Sequence, residues 1–191
     1  MLGTRTSFDP LIGALRDLDI AGASFEASAD ILAAAAIDER DLAAYANFQP
    51  LRYTRNLVYR SDAFELLVLC WSRGSASPIH DHGGMHCAMK LLCGSLNVDD
   101  FTILAGGRRP GYALIDASGA TTMLPGSLDV RSTNRVLHRV AAREPAISLH
   151  VYAQPLNRFM TFDRERRSCR TVYAHDDTLP DPPAPFEQAR A

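Results

Sequence analysis

From Tyr53 to Tyr152 the chain is a succession of short apolar runs cut by Gly, Pro, Asp and Ser. No other feature limits the fold as strongly. Runs of this length, rich in Val, Leu, Ile, Tyr and Phe and closed by turn residues, read as strands rather than helices. Strands are expected over 52–59, 64–72, 78–81, 86–93, 95–103, 112–116, 121–124, 128–130, 136–141 and 146–153. Gly106-Gly107 and Pro125-Gly126 are turn signals between them. There is no internal repeat. Many short strands at regular breaks predict a mainly β protein, a sandwich or barrel of the jelly-roll type.

The chain before Tyr53 has a different period. Ser7, Asp9 and Pro10 suit a helix start. Leu11, Ile12, Leu15 and Leu18 follow at helical spacing and predict an amphipathic helix over about 8–19. Ser28-Ala29-Asp30 begins a second helical stretch, and Ile31, Leu32, Ala35, Ile37, Leu42 and Tyr45 extend one or two short helices to about residue 47. After Phe162 the run Asp163-Arg164-Glu165-Arg166-Arg167 reads as a solvated turn or edge. The tail from Asp176 carries Pro180, Pro182, Pro183 and Pro185 with little apolar material to pack, and is expected to be flexible. The expected organisation is one domain over 1–175, with a helical part at 1–50 and a barrel core at 51–160, followed by the tail at 176–191.

The 191 residues suffice for one sizeable core. Apolar residues make up 47% and charged residues 22%, with a net charge of −2. No global basic field favours nucleic acid or an anionic membrane. Cys70, Cys87 and Cys93 lie in apolar runs, without the spacing of a disulfide scaffold. The first residues lead into no signal-peptide core, and no window approaches a membrane span. The expectation is a reduced, cytoplasmic protein, monomeric or a small homo-oligomer, without nucleic-acid or membrane partners.

Between two apolar runs stands Ser77-Pro78-Ile79-His80-Asp81-His82-Gly83-Gly84-Met85-His86-Cys87. Residues two apart on a strand share a face, so His80 and His82 aim both imidazoles at one point. Each neutral imidazole offers one lone pair, and a metal ion is what needs two of them together. By the same parity His86 would also face that point, but Gly83 and Gly84 permit a turn or bulge that resets the alternation.

The wider spacing is more specific. Gly74 is followed by five residues and His80, His82 by four residues and Cys87, and Cys87 by six residues and Gly94. This resembles the first motif of the cupin superfamily, a double-stranded β-barrel that holds a metal. Gly119, Pro125-Gly126 and His138 resemble the second motif, at looser spacing. Where ordinary cupins place a glutamate ligand, this chain has Cys87. The implied ligand set is therefore three neutral histidines, which leaves a divalent metal its full charge and favours an anionic substrate such as a thiolate.

Several blocks in order carry a closer resemblance. They are Tyr53-Thr54-Arg55-Asn56-Leu57-Val58, Leu69-Cys70-Trp71, His80-Asp81-His82, His86-Cys87, Leu137-His138-Arg139-Val140 and Ser148-Leu149-His150-Val151-Tyr152. Together they are similar to the cysteine dioxygenase family over 53–152. The resemblance implies Fe(2+) on His80, His82 and His138, with His86 not a ligand. It implies that Arg55 binds the substrate carboxylate, for which its planar fork is suited, and that Tyr53 lines the pocket. Arg52 and Arg60, nearby, read as surface arginines. Ser148, His150 and Tyr152 share one strand face and imply a hydrogen-bonded relay that orients the phenol toward the metal. Cys87 and Tyr152 match the pair that forms a thioether bond in animal members. Tyr152-Ala153-Gln154-Pro155 departs from the serine-proline step of the family.

The implied activity is dioxygenation of L-cysteine to cysteine sulfinate, a step of cysteine catabolism. An arginine at 55 favours cysteine over 3-mercaptopropionate, whose dioxygenases carry glutamine there. The sequence leaves open the same chemistry on another small thiol carboxylate. It also leaves open a non-catalytic metal-binding cupin, or a zinc enzyme on the same histidines.

Overall fold

The computed structural model describes residues 5–18, 25–131 and 136–174. Three helices, α1 (Phe8–Asp17), α2 (Phe25–Ala34) and α3 (Glu39–Ala43), precede the strands. The strands are β1 (Tyr53–Arg60), β2 (Phe64–Trp71), β3 (Ile79–His80), β4 (Cys87–Cys93), β5 (Leu96–Gly106), β6 (Gly111–Met123), β7 (Leu128–Arg131), β8 (Val136–Ala142), β9 (Ala146–Ala153), β10 (Arg158–Asp163) and β11 (Ser168–Tyr173). They form a five-stranded sheet in the order β1-β2-β9-β4-β7 and a second, closed arrangement in the order β10-β11-β6-β5-β8-β3. This is the cupin-type double-stranded β-barrel with N-terminal helices. The tail expected to be flexible lies outside the described residues.

Strand β2 shows how the layers arise. All eight of its residues are buried, because both of its faces are covered. Leu66, Val68 and Cys70 point outward and pack with Phe8, Leu11, Ile12 and Leu15 of α1 and Leu32 of α2. Leu67, Leu69 and Trp71 point inward and pack with Met89, Leu91, Val98 and Val140. A strand covered on both faces reads as a continuous apolar run rather than an alternating one. Each fully buried Leu contributes about 1.5–3 kcal/mol. A third cluster, including Phe101, Ile115, Leu137 and Phe162, fills the far end of the second sheet.

The helices are tied to the sheet by polar contacts as well. Lys90 Nζ donates to the carbonyls of Ala33 and Ala35, both at 2.7 Å, and so closes the C-terminal end of α2. Ser7 does not cap α1 with its side chain. Its hydroxyl accepts from the Asp38 N–H at 2.9 Å, and its own N–H donates to Asp41 Oδ2 at 2.6 Å, linking α1 to α3.

Two features differ from the expected strand pattern. The stretches expected at 112–116 and 121–124 are one strand, β6. Ser118-Gly119 is absorbed as a bulge, with Asp100 opposite Gly119 and Phe101 opposite Ala117. Strands β10 and β11 were not expected at all. Arg158, Asp163 and Arg170 break up their apolar pattern, and their stability comes from pairing with each other, with β6 and with β3. The charge run between them is the connecting turn.

Gly94 sits at φ +77°, and a Cβ there would overlap the Pro145 carbonyl and Ala146. Gly94→Ala is expected to destabilise the protein by about 2 kcal/mol or more, read as a lowered midpoint in urea unfolding.

Candidate active site

His80 and His138 stand directly opposite each other across the β3–β8 ladder. The third histidine of the expected set, His82, follows β3 in the same turn. One ring nitrogen from each of His80, His82 and His138 lies within 4.8 Å of the others. His82 and His138 are buried and His80 is half-buried. His80 Nδ1 is 2.9 Å from the Pro78 carbonyl. A carbonyl only accepts, so Nδ1 carries the proton and Nε2 keeps its lone pair for the shared point. Behind His138, Asp129 Oδ2 lies 3.4 Å from Nδ1 without an aligned hydrogen bond. Burial pushes the pKa of all three imidazoles down, well down for His82 and His138, where the neighbouring histidines add to it. The donors are therefore neutral at physiological pH, as metal ligands must be. This donor set fits a metal ion.

His86 is not part of this group. Gly83 and Gly84 have φ of +61° and +97°. The chain turns there, and His86 stacks on Phe25 of α2 with ring centroids 5.1 Å apart. Asp81 holds the turn by accepting from the N–H groups of Gly83 and Met160, at 3.0 and 2.8 Å.

The opposite wall comes from the five-stranded sheet. Arg60, Glu65, Tyr152, Cys87 and Arg131 are successive partners across β1, β2, β9, β4 and β7. They form one row on one face. Tyr152 and Cys87 are direct cross-strand neighbours, and both line the cavity. Burial raises the Cys87 thiol to about 12, with Asp129 adding to the effect. Burial raises the Tyr152 phenol well above its ordinary value, followed by Cys87. Both stay protonated at neutral pH.

Arg55 is 7% exposed. Its Nη2 donates to Glu65 Oε1 at 3.0 Å, and its Nη1 lies 3.5 Å from the Tyr152 hydroxyl. Arg60, expected at the surface, is half in solvent but pairs with the buried Glu65. Tyr53 stacks on Trp71 at 4.7 Å and lines the cavity.

The Ser148–His150–Tyr152 group is connected in part. Ser148 Oγ and His150 Nε2 are 2.8 Å apart, and Trp71 Nε1 donates to the same Oγ at 2.8 Å. His150 and Tyr152 stack at 6.1 Å, and His150 Nδ1 is buried without a hydrogen-bond partner. The expected second link, from His150 to Tyr152, is thus not made. Side chains two apart on a strand run parallel, and the longer phenol carries its hydroxyl past the imidazole toward Arg55. Burial, with the Arg55 charge next, lowers His150 to about 3, so it is neutral.

A cavity of about 220 Å³ joins these walls. It is smaller than drug-sized pockets of about 300–1,000 Å³. Asp129 and Arg131 line it and were not picked out from the sequence. Arg131 pairs with Asp100 at 2.7 Å and with Asp129 at 2.8 Å. The signal was there in Leu128-Asp129-Val130-Arg131. Its charges alternate with apolar residues, but here the charges face in, while Leu128 and Val130 are partly exposed. Glu65 gave no such signal, standing alone in an apolar run.

The fold and the pocket define a cupin-type barrel with a three-histidine candidate metal centre. The family model described as cysteine dioxygenase type I matches residues 3–165, and the chain belongs to that family. Cysteine dioxygenase type 1 of Danio rerio is 36% identical over 138 residues, 70% of this chain and 67% of that protein. The Homo sapiens protein of the same name is 35% identical over 131 residues, 66% and 64%. The chain thus matches about two thirds of the length of these relatives. The 2-aminoethanethiol dioxygenase of Homo sapiens is 36% identical over 66 residues, 34% of this chain and 24% of that protein. Among the described residues no helix is long and apolar enough to cross a membrane, and Cys70, Cys87, Cys93 and Cys169 are all free thiols.

Cys93 is exposed, whereas Cys70 and Cys87 are buried with thiols raised to about 11 and 12. Iodoacetamide at pH 8 is expected to modify Cys93 first and to spare Cys70 and Cys87 until the protein unfolds. Peptide mass spectrometry of the native protein checks this.

Proposed function

We propose that the protein is a thiol dioxygenase that converts L-cysteine and O2 to cysteine sulfinate, with Fe(2+) held by His80, His82 and His138. The observation that carries the reading is the arrangement of the two walls. Three neutral convergent imidazoles face a buried guanidinium across a cavity of small-molecule size. Ferrous iron held by these histidines would coordinate the substrate thiolate and activate O2; the sulfur gives up the four electrons that O2 accepts, and the metal undergoes no net change.

The chain's own residues do the rest. Arg55 takes the substrate carboxylate and fixes the orientation of the molecule. Tyr152 keeps its proton and offers it as a hydrogen-bond donor to an oxygen atom in the pocket. Ser148 and Trp71 hold His150 behind that phenol. The apolar lining of Leu69, Met89, Val140 and Leu156 keeps water out. Cys87 beside Tyr152 makes the thioether bond a candidate modification. Arg55 also bears on the substrate. A carboxylate-bearing thiol satisfies its charge, whereas 2-aminoethanethiol brings none, which favours cysteine. A cytoplasmic setting suits the four free thiols.

The test is to load the protein with ferrous iron anaerobically, add a panel of thiols, admit O2 and identify sulfinates by mass. Cysteine sulfinate is the expected product, and no O2 consumption with any thiol of the panel, despite bound iron, would sink the proposal. Arg55→Gln is expected to raise the KM for cysteine by about tenfold or more, the loss of a charge-assisted hydrogen bond of about 1.5–3 kcal/mol. His138→Ala is expected to abolish stoichiometric Fe(2+) binding in anaerobic calorimetry.

A further inference from the structure

We propose that Asp129 is a positioning residue of the candidate metal centre: its carboxylate, held by Arg131, keeps the His138 proton on Nδ1 and so reserves Nε2 for the metal. The proposal rests on the reading of His80, His82 and His138 as metal ligands.

Asp129 and Arg131 are two apart on β7, so they share a face, and both line the cavity. Arg131 Nε lies 2.8 Å from Asp129 Oδ1 and 3.0 Å from Oδ2. Its Nη1 lies 2.7 Å from Asp100 Oδ1. Asp100 belongs to the other sheet and stands directly opposite His138 across the β5–β8 ladder. The series Asp129–Arg131–Asp100 therefore reaches from one sheet to the other beside His138. It fixes the Asp129 carboxylate where Oδ2 faces His138 Nδ1 at 3.4 Å. The Arg131 and Asp129 side chains are only 11% and 15% exposed, so solvent screens these charges weakly.

A neutral imidazole carries its proton on either ring nitrogen. Nδ1 of His138 is buried and has no hydrogen-bond partner among the described residues, so no other donor or acceptor there opposes the carboxylate. A carboxylate oxygen at this distance attracts an N–H and repels a lone pair. That preference is electrostatic and operates without an aligned hydrogen bond. It leaves the lone pair on Nε2. His80 reaches the same state by another route, through the Pro78 carbonyl 2.9 Å from its Nδ1. Asp129 itself lies outside the group whose donor atoms come within 4.8 Å of one another. It orients a ligand rather than serving as one.

The experiment has two readouts on the full chain. Long-range nitrogen–proton NMR of metal-free protein with isotope-labelled histidine reports which nitrogen of His138 is protonated, the signal being assigned by its loss in His138→Ala. Anaerobic calorimetry reports Fe(2+) affinity for wild type, Asp129→Asn and Asp100→Asn. Wild type is expected to carry the His138 proton on Nδ1 before any metal is added. Asp129→Asn should populate the Nε2–H form and bind Fe(2+) roughly 10–100-fold more weakly. Asp100→Asn also takes a carboxylate from Arg131 but leaves Asp129 in place, and it should keep the wild-type tautomer and affinity. A wild-type His138 protonated on Nε2 overturns the proposal, even where no variant folds. So does an Asp129→Asn protein with unchanged tautomer and affinity, or an equal loss of affinity in both carboxylate variants, which would reduce Asp129 to a partner of Arg131. His138→Ala protein that binds Fe(2+) as tightly as wild type refutes the metal-centre reading itself, a result separable from failure of the Asp129 variant.

Discussion

The pairing of β3 with β8 puts His80 directly opposite His138, and everything at the centre depends on that register. A slip of one residue in either strand would turn one imidazole away from the cavity, because side chains alternate faces at every position. The register is held from several sides. Ser77 Oγ accepts from the Val140 N–H at 2.9 Å, and the Ser77 N–H donates to the Val140 carbonyl at 2.8 Å. Strand β10 pairs with β3 on its other edge, and Asp81 fastens the turn beyond it to Met160. A two-residue strand holds its place only because both of its edges are occupied.

The facing sheet solves a different physical problem. It must place charged and hydroxyl groups in a water-poor cavity without leaving them unsatisfied, since a buried ion without a partner costs several kcal/mol. Glu65 is enclosed by two guanidinium groups, and Arg131 by two carboxylates. The two clusters sit at opposite ends of one row, with Tyr152 and Cys87 between them. The titratable groups at the centre are consequently held uncharged by burial, while the charges that remain are paired or lie at the edges of the cavity. An apolar helical layer of Phe8, Leu11, Leu15 and Leu32 closes the back of the sheet and keeps that dielectric low.

Much of this was legible before any coordinates. The alternation of short apolar runs with turn residues located β1, β2, β4, β8 and β9 closely, and the helical spacing of Leu11, Ile12 and Leu15 located α1. Residues of the candidate site were nameable because blocks such as His80-Asp81-His82 and Ser148–Tyr152 are local and strongly patterned. The misses were of two kinds. Strands β10 and β11 carry charges that blur their period, so only their pairing partners reveal them. Arg60 lies at the surface as expected, but its pairing with the buried Glu65 was not legible, because the one-position bulge in β1 that brings it to that carboxylate has no sequence signature here.

What the sequence determined by itself was the composition of each local segment. It set two imidazoles at strand spacing, a Gly-Gly step able to turn His86 away, an arginine near the start of β1 and three polar groups on one face of β9. Those follow from backbone periodicity, which acts over a few residues. Only the tertiary structure decided which segments meet. It set His138 against His80, aligned Arg60, Glu65, Tyr152, Cys87 and Arg131 in one row, and left the His150–Tyr152 link unmade. Such contacts depend on register and bulges between strands far apart in the chain, and they are selected by the burial of the whole core rather than by any stretch within it.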